Sequence, residues 1–105
     1  MAFYQVEVTD QVRKELRKLP GNIRQRIWRL LQSLRAQPRP QNSIALDLTN
    51  TAIKLAVNAE LRRIQLDAWR VVYLIEEDIR LVSVLAIRRR PPYQYEDLAE
   101  LVTNR

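Results

Sequence analysis

The sequence predicts an α+β domain: an N-terminal strand, a helical hairpin, then a three-stranded antiparallel meander, with the helices packed on one sheet face. Three observations predict it. Two amphipathic helical stripes are separated only by Pro20-Gly21. Three runs rich in Val, Ile and Leu follow, joined by turns of about two residues. A short alternating stretch precedes the first stripe. At 105 residues the chain is expected to form one domain, 1–105, long enough to bury a core and too short for a second lobe.

Tyr4–Val8 alternates apolar and polar residues and reads as the opening strand. Thr9 suits a helix N-cap, and Asp10 in the first turn faces the positive end of the helix. Val12, Leu16 and Leu19 recur at helical spacing, so the first helix is expected over 10–19. Asn22 is the expected cap of the second helix, whose stripe is Ile23, Ile27, Leu30, Leu31 and Leu34. Arg24, Arg26, Arg29 and Arg35 occupy its other face, and Pro38 and Pro40 end it. Residues 41–59 show neither clean period and are expected to be a loop with some short extended structure.

In Leu61–Leu66 the alternation puts Arg62 with Ile64 and Leu66, and Arg63 and Gln65 with Leu61 on the opposite side. Asp67-Ala68 is the turn into Trp69–Glu76, and Glu77-Asp78 the next hairpin. Ile79–Arg88 is nearly all apolar, as expected for a strand covered on both faces. Pro91-Pro92 halts the sheet, and Glu96–Val102 has the pattern of a short terminal helix.

The net charge is +6, and 15 of the 18 basic residues are Arg. Arg offers a planar fork that binds phosphate through two parallel hydrogen bonds and stacks on bases, which points to nucleic acid or to an acidic protein partner. The chain has no His and no Cys. That composition leaves zinc without its usual ligands and excludes Ser/His and Cys/His nucleophile pairs. A single glycine, Gly21, rules out a Gly-rich phosphate loop. Glu76, Glu77 and Asp78 fall in an expected turn, where acidic residues are common, so no metal site and no cofactor are expected. The N-terminus lacks the basic start and apolar core of a signal peptide, and no stretch has the length of a membrane span. A reducing cytosol is the expected setting.

Four groups of residues carry candidate chemistry. Arg63, Gln65 and, on the next strand, Arg70 can together clamp a phosphate and stabilise the added charge of a phosphorane-like transition state. Arg88, Arg89 and Arg90 are adjacent cations that repel one another unless an anion is near. Tyr93 and Tyr95 follow, and flanking guanidinium groups favour phenolate, which suits a general base. Trp28 and Trp69 are expected in the core or at an interface rather than as base-stacking platforms.

These residues resemble the RelE/ParE toxin superfamily of type II toxin–antitoxin systems. LRRIQLDAWRVVYLI is similar to the family's alternating basic residues, turn, aromatic-Arg pair and apolar strand ending in Tyr. VLAIRRRPPYQYEDL is similar to its closing strand, basic cluster and Tyr. The resemblance spans nearly the whole chain, with 41–59 matching poorly. It implies a ribosome-dependent endoribonuclease of RelE type that cuts mRNA by metal-free 2′-OH attack. Arg63, Arg70, Arg89 and Tyr95 fall on the family's catalytic positions, with Arg88 and Tyr93 as rivals for the last two. Arg62, Gln65, Arg88, Arg90 and Tyr93 would then contact RNA. Gln65 stands where such enzymes carry a second basic residue, a departure from the pattern. The resemblance also implies a cognate antitoxin, the ribosome and mRNA as partners, no membrane, and promoter DNA only through the toxin–antitoxin complex. The alternative within the same fold is a ParE-like toxin that inhibits DNA gyrase by protein binding.

Overall fold

The computed structural model describes residues 3–49, 51, 53–89 and 97–103. Strand β1 (Gln5–Val8) stops at Thr9, whose Oγ1 accepts a hydrogen bond from the Val12 N–H at 3.2 Å and so starts helix α1 (Asp10–Arg17). The cap and the acidic first turn are those expected. Helix α2 (Gly21–Ser33) begins one residue before the expected Asn22 cap. Pro20 holds the N-cap position, with no side-chain hydrogen bond there. Its fixed φ already suits the entry to a helix, so Asn22 is not needed in that role.

Strands β3 (Ala59–Leu66), β4 (Trp69–Glu76) and β5 (Leu81–Arg89) form the expected antiparallel meander. The first hairpin is closed by Asp67-Ala68, with Asp67 at φ 52°. Such a turn suits the strand twist. The second connection is longer than Glu77-Asp78. Glu77–Ile79 makes one 3-10 turn, Arg80 adopts φ 50°, and Ile79 is exposed rather than part of the strand.

Two further strands complete the sheet, in the order β1-β5-β4-β3-β2. Strand β2 (Ser43–Ala45) is the short extended piece expected within 41–59, and it pairs with β3. It is only three residues long, too short to leave a period in the sequence. Strand β1 pairs with β5 in parallel, Gln5 opposite Leu81 and Val8 opposite Val84. The pairing stops there, so β5 continues beyond Val84 with an edge that β1 does not cover.

The helical hairpin packs on one sheet face. Val12, Leu16, Leu19, Ile27, Leu31 and Leu34 meet Ile64, Val71, Tyr73, Ile75, Val82, Val84 and Ile87. The other face is also buried, as the apolar run of Ile79–Arg88 predicts, by elements that the sequence pattern does not identify. Helix α3 (Leu98–Thr103) and the irregular segment containing Leu46, Leu48, Ile53 and Leu55 cover Leu61, Val72, Leu74, Leu85 and Ala86. Both faces of β4 and β5 are therefore apolar, as their sequences require. Among the described residues no helix is long and apolar enough to cross a membrane.

A charged network ties the loop after α2 to the sheet. Arg39 bonds Glu60 at 2.6 Å and Glu77 at 3.0 Å, and the Tyr4 hydroxyl donates to Glu77 at 2.7 Å. Burial works against the charge on Arg39, but Glu60 and Glu77 outweigh it and raise its pKa. The hydrogen bond from Tyr4, with help from Arg39, lowers that of Glu77. Beneath this network the buried Tyr73 hydroxyl donates to the Pro38 carbonyl at 2.6 Å. Burial raises the Tyr73 pKa, so it stays a neutral donor. Tyr73→Phe leaves that carbonyl unpaired in the core and is expected to cost about 1–2 kcal/mol. Urea unfolding of the two proteins, with an unchanged slope, measures it.

Candidate functional site

The cations of the meander are sorted by one irregularity in β5. Val72 pairs with Ala86 but Tyr73 pairs with Val84, so Leu85 is an extra residue, a β-bulge. Val82 and Val84 face the helical hairpin, Leu85 and Ala86 both face α3, and Ile87 faces the hairpin again. Strict alternation from Val84 would send Arg88 to the hairpin face and Arg89 to the α3 face. The bulge reverses them. Arg88 pairs with Arg70, and Arg70 with Gln65, in one row across three strands on the α3 face. Arg63 lies in the adjacent row, on the same face as Val72 and Ala86. With neighbouring strands about 4.8 Å apart, the row spans about 10 Å, the scale of one phosphodiester and its flanking sugars.

Arg70 is the most enclosed of these cations, with 8% of its surface exposed. Its Nη1 donates to the Trp69 carbonyl at 3.2 Å and reaches the Asp67 carbonyl at 3.4 Å, which fixes the guanidinium over the β3–β4 turn. On the other side of the sheet, Arg26 of α2 pairs with Asp67 at 2.5 Å and holds the same turn. Arg63 is half-buried and Gln65 exposed. Arg63, Arg70 and Arg88 are all engaged in interactions within the chain.

Arg88 is held between two carboxylates. Its Nη2 meets Asp97 Oδ2 at 2.5 Å, and its Nε lies 3.7 Å from Glu15 Oε2. Asp97 immediately precedes α3, and Glu15 belongs to α1, beside the β5 edge that β1 leaves uncovered. Burial raises the Glu15 pKa, opposed by the Arg88 charge and the Ile87 amide. Neither acid was expected at the site from sequence. Glu15 had a signal: with Val12, Leu16 and Leu19 it completes the i, i+3, i+4, i+7 stripe of α1, so a carboxylate occupies an apolar slot.

Arg89 pairs with Trp69 on the hairpin face and is exposed. The structure therefore separates it from Arg63, Gln65 and Arg70, and puts its rival Arg88 with them. Arg62 also leaves the group. It turns to the hairpin face, where it donates to Ser43 Oγ at 2.9 Å and to Glu60 at 3.3 Å, a structural role beside Tyr73. Arg90, Tyr93 and Tyr95 lie outside the described residues, within 90–96, the segment that joins Arg89 to Asp97. Trp69 packs against the hairpin core, while Trp28 is half exposed. Glu77 is spent on Tyr4 and Arg39, and Asp78 accepts from Asn58 at 2.9 Å.

A strand, a helical hairpin and a meander that gathers guanidinium groups at one end define a toxin fold of the RelE/ParE superfamily. A family model, the ParE toxin of type II toxin–antitoxin systems, parDE, matches residues 6–91. The chain belongs to this family, and it is a toxin of a type II toxin–antitoxin system. Solved structures share the fold. The RelE–RelB complex from Pyrococcus horikoshii aligns with a TM-score of 0.73 at 24% identity, over 86% of this chain and 98% of that one. The RelBE2 complex from Mycobacterium tuberculosis aligns with a TM-score of 0.66 at 22% identity, over 85% and 100%. The isolated RelE toxin of E. coli aligns with a TM-score of 0.61 at 18% identity, over 94% and 98%. No curated protein sequence matches the chain.

Arg88 and Arg89 are adjacent in sequence but differ in what they hold, and stability measurements separate them. Arg88→Ala leaves the partly buried Glu15 without its cation and is expected to cost about 1–3 kcal/mol. Arg89→Ala removes an exposed side chain and is expected to leave the melting temperature essentially unchanged. Thermal unfolding of both variants checks the contrast.

Proposed function

We propose that this toxin is a ribosome-dependent endoribonuclease that cleaves mRNA and thereby inhibits translation. The observation that carries the reading is the row Gln65–Arg70–Arg88, with Arg63 beside it, on one face of the sheet end. Pre-placed guanidinium groups suit a reaction whose charge builds on phosphate oxygens, and an enclosed Arg70 loses little freedom on meeting one. The 2′-OH oxygen attacks the adjacent phosphorus, the bond to the 5′-oxygen breaks, and the products are a 2′,3′-cyclic phosphate and a 5′-OH. Arg63, Arg70 and one of Arg88 and Arg89 stabilise the pentacoordinate charge. Arginine holds its proton too tightly to serve as the base. Tyr95 or Tyr93 takes the 2′-OH proton in this scheme, and the leaving oxygen is protonated in turn. Gln65 contributes a hydrogen bond without charge.

The fold relatives include complexes of RelE with RelB and the RelBE2 complex, which supports a cognate antitoxin for this chain too. An acidic or amphipathic antitoxin suits a chain of net charge +6. Promoter DNA is then bound by the complex, through the antitoxin. The toxin acts in the cytoplasm, where ribosomes and mRNA are.

The second reading, gyrase inhibition without cleavage, is favoured by the family model itself, which is that of ParE. Gln65 at an otherwise basic position and the pairing of Arg88 with two carboxylates also suit it. Primer extension on a reporter mRNA in a translating extract separates the two. Under the nuclease reading, cuts appear within codons, require translation, and fall by about 100-fold or more with Arg70→Ala. Intact mRNA together with inhibited supercoiling by purified gyrase overturns that reading in favour of the second.

A further inference from the structure

Glu15 is a partly buried carboxylate that the scheme above does not use. Its side chain is 17% exposed, and its Oε1 is buried with no hydrogen-bond partner. A buried, unpaired oxygen of this kind is costly and rare in folded proteins. Glu15 stands where β1 ends and β5 runs on paired with β4 only, with Oε2 3.7 Å from Arg88 Nε. Arg88 in turn stands in the row with Arg70 and Gln65.

We propose that Glu15 is the positioning residue for Arg88, holding its guanidinium from the β5 edge so that Nη2 is presented on the sheet face, where Asp97 now occupies the place of an anion. The inference rests on the nuclease reading for its consequence in catalysis, but the geometry it describes does not. Two carboxylates share one guanidinium here. Asp97 precedes a six-residue helix and is 40% exposed, whereas Glu15 is built into α1 and enclosed. A substrate phosphate competes with Asp97 for Nη2, while Glu15 keeps Nε fixed. The charged groups that act on Glu15 are Arg88 from β5, Asp97 before α3 and Lys18 of its own helix.

A merely structural role and a positioning role differ in what Glu15→Gln does. The raised pKa of Glu15 means that its charge opposes folding. Stability is therefore lost as pH rises from the unfolded value through the higher folded one. The neutral amide avoids that cost, so Glu15→Gln is expected to melt at the same temperature as wild type or higher at pH 7. Its cleavage rate in the translating extract is nevertheless expected to fall by about 10- to 100-fold, the penalty of a misplaced catalytic group. The second readout is the Nε–H resonance of Arg88 in nitrogen-15-labelled protein, followed against pH. In wild type part of its movement follows Glu15; Glu15→Gln removes that part and Asp97→Asn leaves it in place. An unchanged rate, or an Arg88 resonance indifferent to Glu15→Gln, overturns the proposal. Should wild type itself fail to cut mRNA, the nuclease reading falls. The Arg88 resonance alone then upholds or overturns the positioning role.

Discussion

One extra residue in β5 governs how this molecule distributes its charge. The meander has two apolar faces to fill, and its C-terminal strand must also deliver consecutive arginines to the sheet end. With strict alternation, Ala86 and Arg88 would share the hairpin face with Val84, while Ile87 and Arg89 would turn toward α3. The bulge at Leu85 instead lets Leu85 and Ala86 both contribute to the α3 side and returns Ile87 to the hairpin core. The same step places Arg88 opposite Arg70. A packing adjustment in the middle of the strand thus decides, three residues later, which guanidinium faces the candidate site. Bulges are common next to active sites for this reason: they re-aim a side chain at the cost of one unpaired residue.

The sheet end needs support because it concentrates like charges. Arg63, Arg70 and Arg88 lie within two adjacent rows, and Arg89 emerges on the other face. The chain counters this locally. Carbonyls of the β3–β4 turn accept from Arg70, Glu15 and Asp97 flank Arg88, and on the opposite face Asp67 pairs with Arg26. The opposite end of the sheet balances charge differently, through Arg39, Glu60, Glu77 and Tyr4, partners far apart in sequence that lock the loop after α2. Thus one end is a closed, self-satisfied network. The other is a set of cations whose balancing acids come from elements at its margin, an arrangement that an external anion can enter.

Much of this was legible in the sequence, and the parts that were not share a cause. The strand and helix periods are local, and they gave β1, both helices, the meander and the Thr9 cap. The faces of Arg62, Arg63 and Gln65 followed from alternation and held, since β3 has no bulge. What stayed hidden was non-local. Strand β2 is three residues whose only reason to be extended is the edge of β3. The covering of the second sheet face by Leu46, Leu48, Ile53 and Leu55 leaves no period, because an irregular segment buries side chains wherever the sheet offers space. Which face Arg88 and Arg89 each take is hidden too, because a bulge is invisible in a run as uniformly apolar as LVSVLAI.

Glu15 shows how the remaining information can be read. A helix stripe that runs Val12, Glu15, Leu16, Leu19 breaks its own pattern at one position, and a lone carboxylate in an apolar slot must either find a cation or be neutralised by protonation. The cation is 73 residues further along the chain, on the strand that the parallel pairing of β1 brings beside α1. Neither half of the pair identifies the other in sequence. Once the topology is known the logic runs in one direction: β1 must be short for α1 to reach the β5 edge. α1 must reach that edge for Glu15 to meet Arg88, and the bulge must turn Arg88 away from the hairpin core for the meeting to matter at the sheet end. The brevity of β1 and the irregularity of β5, both of which look like weaknesses in a sheet, are thus the features that join the helical layer to the cationic row.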